Sequence, residues 1–208
     1  MTVVFDPRRL LSNTSMYRAL QARIRRADTS RRVTEEVLRI QRGQRVLDIG
    51  CGPADILGHL PESVQYYGFD AEPNYIQAAT ERYGSRGTFV AGTVSPGTMD
   101  GLGTFDVIMS LAVLHHLSDE DANIMFSAAA TLLGPGGRFV TLDCAFVPGQ
   151  HPVARMLAAM DRGKYVRSPD AYAALARPHF SEVSVTLRHD LLAVPYSHCI
   201  MELGQPVR

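Results

Sequence analysis

Asp48 and Asp70 each stand at the end of a short apolar run, and the first is followed at once by a Gly-x-Gly turn. The stretches read Val46-Leu47-Asp48-Ile49-Gly50-Cys51-Gly52-Pro53-Ala54-Asp55 and Tyr66-Tyr67-Gly68-Phe69-Asp70. Two strand ends that deliver a carboxylate beside a glycine turn form a nucleoside-binding edge. The second acid can accept hydrogen bonds from ribose hydroxyls, and the glycines let the backbone approach a ligand closely. In dinucleotide sites the turn continues to a third glycine and a helix N-terminus holds the pyrophosphate. Here that sixth position is Asp55, which repels a diphosphate and suits a nucleoside carrying positive charge. A second set lies further on. His115 and His116 follow the apolar run that ends at Leu114, and Asp143 follows Leu142. A histidine titrates near neutrality and can take a proton from a hydroxyl.

Four landmarks now stand in order. After the glycine turn and Asp70 come Thr104-Phe105-Asp106-Val107-Ile108-Met109-Ser110-Leu111-Ala112-Val113-Leu114-His115-His116-Leu117 and Leu132-Leu133-Gly134-Pro135-Gly136-Gly137-Arg138-Phe139-Val140. Over about residues 46–143 the chain resembles the class I, Rossmann-like S-adenosylmethionine-dependent methyltransferases of small-molecule type. The resemblance implies S-adenosylmethionine as cofactor and a methyl transfer to oxygen or nitrogen of a modest-sized metabolite. It matches Asp48, Gly50, Gly52, Asp70 and the backbone at Leu111, after Ser110, to the family pattern. Gly50 and Gly52 should then approach the methionine portion, Asp70 the ribose, and Asp48 and Asp55 the ammonium group. The chain departs from the pattern after the third strand. Ala91-Gly92-Thr93-Val94 has no acid or amide for the adenine amine, so Thr93 or a backbone carbonyl must serve.

Transfer from a sulfonium needs nucleophile, methyl and sulfur aligned in a dry pocket, and alignment alone supplies roughly 7–11 kcal/mol of barrier reduction. A base is needed only where the acceptor arrives protonated. His115 oriented by Asp143 is the expected catalytic pair, while one of the two adjacent histidines packs or caps instead. His116, Arg162, Tyr165, Tyr196 and His198 are the expected substrate-side residues. No metal is expected.

These residues need a scaffold of alternating strands and helices. Apolar runs predict strands over 45–49, 65–69, 87–91, 105–110 and 137–143, and helical spacing predicts helices near 54–60, 73–83, 119–133 and 168–177. Late alternating runs over 182–188 and 198–203, joined by Asp190 to Tyr196, predict an antiparallel finish. The expected fold is α/β, a doubly wound, mostly parallel seven-stranded sheet with an antiparallel edge strand and helices on both faces. Residues 1–208 form one domain: an N-terminal helical cap (1–44), a cofactor-binding core (45–146), a lid insertion (147–167) and a C-terminal helix with antiparallel strands (168–208). The cap, two helices broken near Asp28-Thr29-Ser30, and the lid are expected to close the acceptor pocket together. Within the lid, Asp161-Arg162-Gly163-Lys164-Tyr165-Val166-Arg167 crowds charged and aromatic residues around one glycine, as a ligand loop or a salt-bridged turn would.

The 208 residues suffice for one full-sized core. Cys51, Cys144 and Cys199 lack both a disulfide framework and metal-ligand spacing. The absence of a signal peptide and of a membrane-length apolar run gives a cytoplasmic address and no membrane partner. Formal net charge is zero but unevenly placed: residues 1–45 hold 11 Arg against 4 acids, and the rest 10 Lys+Arg against 17 acids. The arginines Arg18, Arg23, Arg25, Arg26, Arg31 and Arg32 fall on an amphipathic helical pattern, where a solvated face is the commoner outcome. A nucleic-acid methyltransferase is disfavoured by the acidic body and by the lack of an Asn/Asp-Pro-Pro-aromatic loop for a flipped base. The alternative from another class is a non-catalytic cofactor-binding partner.

Overall fold

The computed structural model describes residues 28–94, 101–161 and 163–207. Seven strands form one sheet: β1 (Arg45–Ile49), β2 (Gln65–Asp70), β3 (Gly87–Ala91), β4 (Phe105–Leu111), β5 (Leu133–Cys144), β6 (Phe180–Arg188) and β7 (His198–Pro206). Their order is β3-β2-β1-β4-β5-β7-β6. β1 to β5 pair in parallel, and β7 runs antiparallel to both β5 and β6 at that edge of the sheet. β1 is buried from Val46 to Ile49 because both of its faces are covered. The period-two alternation of strands splits its neighbours between two cores. Leu47, Ile49, Phe105, Ile108 and Phe139 pack on one face with Phe126, Tyr172 and Phe180. Val46, Tyr66, Val107, Met109 and Val140 pack on the other with Val33, Leu38 and Leu57.

Five helices cover these faces among the described residues. α1 runs Thr29–Arg32 and widens into π turns over Val33–Leu38; α2 is Pro73–Tyr83, α3 Asp119–Leu132, α4 Pro152–Met160 and α5 Pro169–Ala176. Local sequence explains where they begin. Ser118 Oγ accepts from the Asp121 N–H at the start of α3, with Asp119, Glu120 and Asp121 in its first turn. Ser168 caps α5 in the same way, followed by Pro169 in the first turn. α2 is capped by the Glu72 side chain, which accepts from Asn74 N–H, rather than by Asn74 itself.

The strands lie where the apolar runs predict them, each within a few residues. The largest difference is β5, which starts at Leu133 rather than 137: Leu133 pairs with Phe105 before the register shifts across Gly134–Gly137. The helix expected over 54–60 is a single stretch of 3₁₀ helix, Asp55–His59, entered through Ala54 in the left-handed region. The break expected near residues 28–30 is the start of α1, and the helix expected before it lies outside the described residues, as do Arg18, Arg23, Arg25 and Arg26. Arg31 and Arg32 pair with Glu35 and Glu36, and Arg32 also bonds Asp190, which fits ion-paired surface roles.

Candidate functional site

The chain reverses its direction of winding between β1 and β4, so the carboxyl ends of these neighbours open a crevice. A cavity of about 440 Å³ occupies it. Asp48, Gly50, Cys51 and Asp55 contribute from the β1 side, Leu111, His115 and His116 from β4, and Asp143 and Cys144 from β5. Thr29, Ser30 and Val33 of α1 close one side, and Leu157, Met160 and Asp161 close another. Tyr196 and His198 add a polar wall near Leu191 and Leu192.

The glycine turn is held by Asp70. One carboxylate oxygen accepts Gly52 N–H at 2.8 Å and the other accepts Glu72 N–H at 2.9 Å. Gly50 and Cys51 N–H both donate to the Phe69 carbonyl, tying the turn to β2. Gly50 sits at φ +76°, where a Cβ would come within 2.4 Å of Val113. Gly52, at φ +54°, has nothing within 4 Å of the place a Cβ would take. That open space in front of a bare backbone is a cradle a side chain would fill; Asp48 and Asp55 line the neighbouring cavity, whereas Gly52 and Asp70 are not among its lining residues. A sulfonium nucleoside with an ammonium group fits such a cradle, and a pyrophosphate does not.

The three acids differ in what they can offer. Asp48 is buried and accepts the Tyr66 hydroxyl at 2.6 Å. Burial, only partly offset by that bond, pushes its pKa up to about 7. Asp55 is exposed and its charge is countered on the surface by an ion pair with Arg82. Asp70 is a structural brace as well as a ligand candidate. Thr93 is exposed and lies outside the cavity lining.

On the acceptor side, His115 is clamped. Its Nδ1 meets Asp143 Oδ1 at 2.7 Å, its Nε2 meets Asp161 Oδ1 at 3.2 Å, and only 3% of the residue is exposed. Its backbone N–H also donates to Asp143. Burial alone favours the neutral ring, but the bonds and charges of the two carboxylates outweigh it and raise the pKa to about 9. Both ring nitrogens face carboxylate oxygens, an arrangement that favours the doubly protonated ring. Asp143 meets His115 at one ring nitrogen, and Asp161 adds a second carboxylate at the other. Its neighbour His116 lies ring against ring at 4.2 Å, tilted by 41°, and its pKa is lowered, by burial and then by His115. His198 is buried, its pKa lowered to about 4 by burial, and its Nδ1 has no hydrogen-bond partner.

Gly163 and Tyr165 pack against His115. Gly163 N–H donates to Asp161 Oδ1, Tyr165 N–H donates to the His115 carbonyl, and a Cβ on Gly163 would lie 2.2 Å from His115 Cδ2. Arg167 ties the segment down through the Leu114 and Leu117 carbonyls and an ion pair with Asp119. Tyr165 therefore acts through its backbone: its ring is 40% exposed, near Arg167, and does not line the cavity. Arg162 lies outside the described residues. Asp161 and Gly163 are functional candidates the residue spacing did not single out; their signal was the crowded Asp-Arg-Gly segment. His115, Cys144 and Asp161 bring donor atoms within 4.8 Å of one another, and the imidazole and the Asp161 carboxylate satisfy each other directly.

Residues 46–137 match the family described as a methyltransferase domain. Trans-aconitate 2-methyltransferase of Mycobacterium ulcerans (strain Agy99) is 30% identical over 158 residues, 65% of this chain and 55% of that protein. Phosphoethanolamine N-methyltransferase 1 of Triticum aestivum is 33% identical over 116 residues, 54% of this chain and 23% of that protein. The chain thus spans about half the length of the first curated relatives it matches, and less of others. Among solved structures, the S-adenosylmethionine-dependent methyltransferase SibL in its apo form superposes with a TM-score of 0.72 at 18% identity, covering 92% of this chain and 58% of that one. The glycine turn and the acids Asp48 and Asp70 fall inside the residues that match the methyltransferase domain, and the chain shares the fold of S-adenosylmethionine-dependent methyltransferases.

Proposed function

We propose that the chain transfers the methyl group of S-adenosylmethionine to an oxygen or nitrogen of a small-molecule acceptor. The observation that carries this reading is the single cavity shared by the glycine turn and the His115–Asp143 pair. Gly50 and Gly52 would receive the methionine portion, Asp70 the ribose, Asp48 and Asp55 the ammonium, and Thr93 or nearby backbone the adenine. The cofactor, when bound, supplies a methyl group already activated by a positive sulfur. The work left to the protein is to align the acceptor and exclude water.

The walls suit that task. Val33, Ile56, Leu142, Leu157, Met160 and Leu191 give the cavity an apolar lining, while His116, Tyr196 and His198 offer a few polar atoms to orient a ligand. The α1 segment and residues 147–167 act as covers. The relatives named for trans-aconitate and for phosphoethanolamine support a small-molecule acceptor rather than a nucleic acid or membrane partner. Three free, buried cysteines fit a reducing cytoplasm.

The test is a binding and turnover pair. Calorimetry should show one S-adenosylhomocysteine site, and a panel of small phenols, carboxylic acids and amines should yield a methylated product by mass spectrometry. Failure to bind the nucleoside removes the reading; binding without turnover on any acceptor points to a cofactor-binding partner.

A further inference from the structure

The His115 imidazolium faces the acceptor cavity with its Nε2 satisfied by the protein's own lid carboxylate. Among the described lining residues there is no lysine or arginine, and His115 meets a carboxylate at each ring nitrogen. Its other surroundings are accounted for: Asp143 on β5 holds Nδ1, the tilted His116 ring lies 4.2 Å away on the same turn, and Cys144 is a buried thiol pushed up to about 12 by burial. A carboxylate oxygen at Nε2 marks the chemistry this nitrogen accepts, because a charge-assisted hydrogen bond to an anionic oxygen is its strongest partnership.

Building on the methyltransferase reading, we propose that the acceptor presents a single acidic oxygen, a carboxylate or phenolate, which takes the place of the Asp161 carboxylate on His115 Nε2. The acceptor oxygen then arrives deprotonated and needs no base. Its lone pair forms the new O–C bond as the C–S bond breaks and its electron pair passes to sulfur. The oxyanion and the sulfonium lose their charges together, and no proton moves. The neutral ester or ether is a weaker partner for the imidazolium than a carboxylate, so Asp161 returns and displaces the product. An ammonium acceptor at the same place would meet a cation that already points an N–H at it. Asp161 is in this account a positioning residue: it keeps His115 charged and its place filled until the acceptor enters. The fit of Gly163 against the ring and the Tyr165 N–H bond to the His115 carbonyl hold the backbone, and the exchange takes the Asp161 carboxylate off both His115 Nε2 and the Gly163 N–H.

The experiment uses the full chain saturated with S-adenosylhomocysteine and three probes of similar size, benzoate, benzyl alcohol and benzylamine, with nitrogen NMR of the His115 ring as readout. At neutral pH benzoate should bind and shift the His115 Nε2 signal, while the alcohol and the amine bind at least about tenfold more weakly. Asp161→Asn removes the internal competitor and should tighten benzoate about tenfold, whereas His115→Gln should abolish its preference over the alcohol. Should Asp161→Asn fail to fold, the wild-type protein still decides: benzoate affinity must fall as pH rises through the His115 titration near 9. Benzylamine binding more tightly than benzoate overturns the proposal. So does benzoate binding that ignores both substitutions, or no probe binding while the nucleoside does. Failure of the nucleoside itself to bind is a different result, and removes the methyltransferase reading instead.

Discussion

The two halves of the crevice, one at the glycine turn and one at His115, are built on opposite principles. Around Gly50–Gly52 the working surface is backbone: open space, positive φ angles, and a carboxylate, Asp70, spent on holding N–H groups. Around His115 it is buried charge: two carboxylates and an imidazolium brought from β5, the turn after β4 and the lid. A backbone surface tolerates many neighbours but no added side chain. A charged cluster tolerates small changes of shape but no missing partner. The two halves should therefore fail in different ways when altered.

The largest effect is expected at the charged cluster. Asp143→Ala leaves a buried imidazole with one carboxylate fewer, and should cost about 3–5 kcal/mol in denaturant unfolding. The same variant changes the pH profile of stability. His115 has its folded pKa raised from 6.5 to about 9, so its contribution is fully present below about 6.5 and is lost as pH rises through 9. That rise corresponds to roughly 3 kcal/mol, and unfolding curves between pH 6 and 10 should flatten in Asp143→Ala. A wild-type protein with no loss of stability across that interval would show that His115 is not held as a cation.

Gly50→Ala comes next. It forces a side chain into the left-handed region and against Val113, and should cost about 2–4 kcal/mol, read as a lowered unfolding midpoint. Gly163→Ala should cost about 1–3 kcal/mol, because only the lid has to give way to relieve its contact with His115. Hydrogen exchange should then rise within 147–167 and stay unchanged at the glycine turn, which separates the two halves directly. Arg82→Ala breaks the exposed pair with Asp55 and should change stability by about 0.5 kcal/mol or less, while leaving more negative potential at the cofactor side.

What could be read from the chain follows the same division. The glycine turn, Asp70 and the strand carrying Leu111 were legible because their residues are contiguous and each has a local reason to be there. The sheet was legible because buried parallel strands announce themselves as short apolar runs, and the acid or histidine at each end follows from where those runs stop. Asp161 was not legible as a partner of His115, since 46 positions separate them and no periodicity links a lid to a strand end. The upward shift of the His115 pKa was hidden for the same reason: a single carboxylate at Asp143 orients an imidazole, and the second one favours its charged form. Tyr165 misled because an aromatic side chain draws attention, while the structure uses its N–H. The helix near residue 54 shrank to a 3₁₀ stretch, Asp55–His59, around Gly58, which gives little reason to continue an α-helix.

The account stands most directly on the cradle at Gly52. Asparagine tolerates the left-handed region better than other side chains, so Gly52→Asn should fold with nearly unchanged stability while its side chain fills the open space. Calorimetric titration with S-adenosylhomocysteine is then the deciding measurement. The account predicts one site on the wild-type chain and an affinity weakened at least about tenfold in the folded variant. Equal affinity in the two proteins would contradict it.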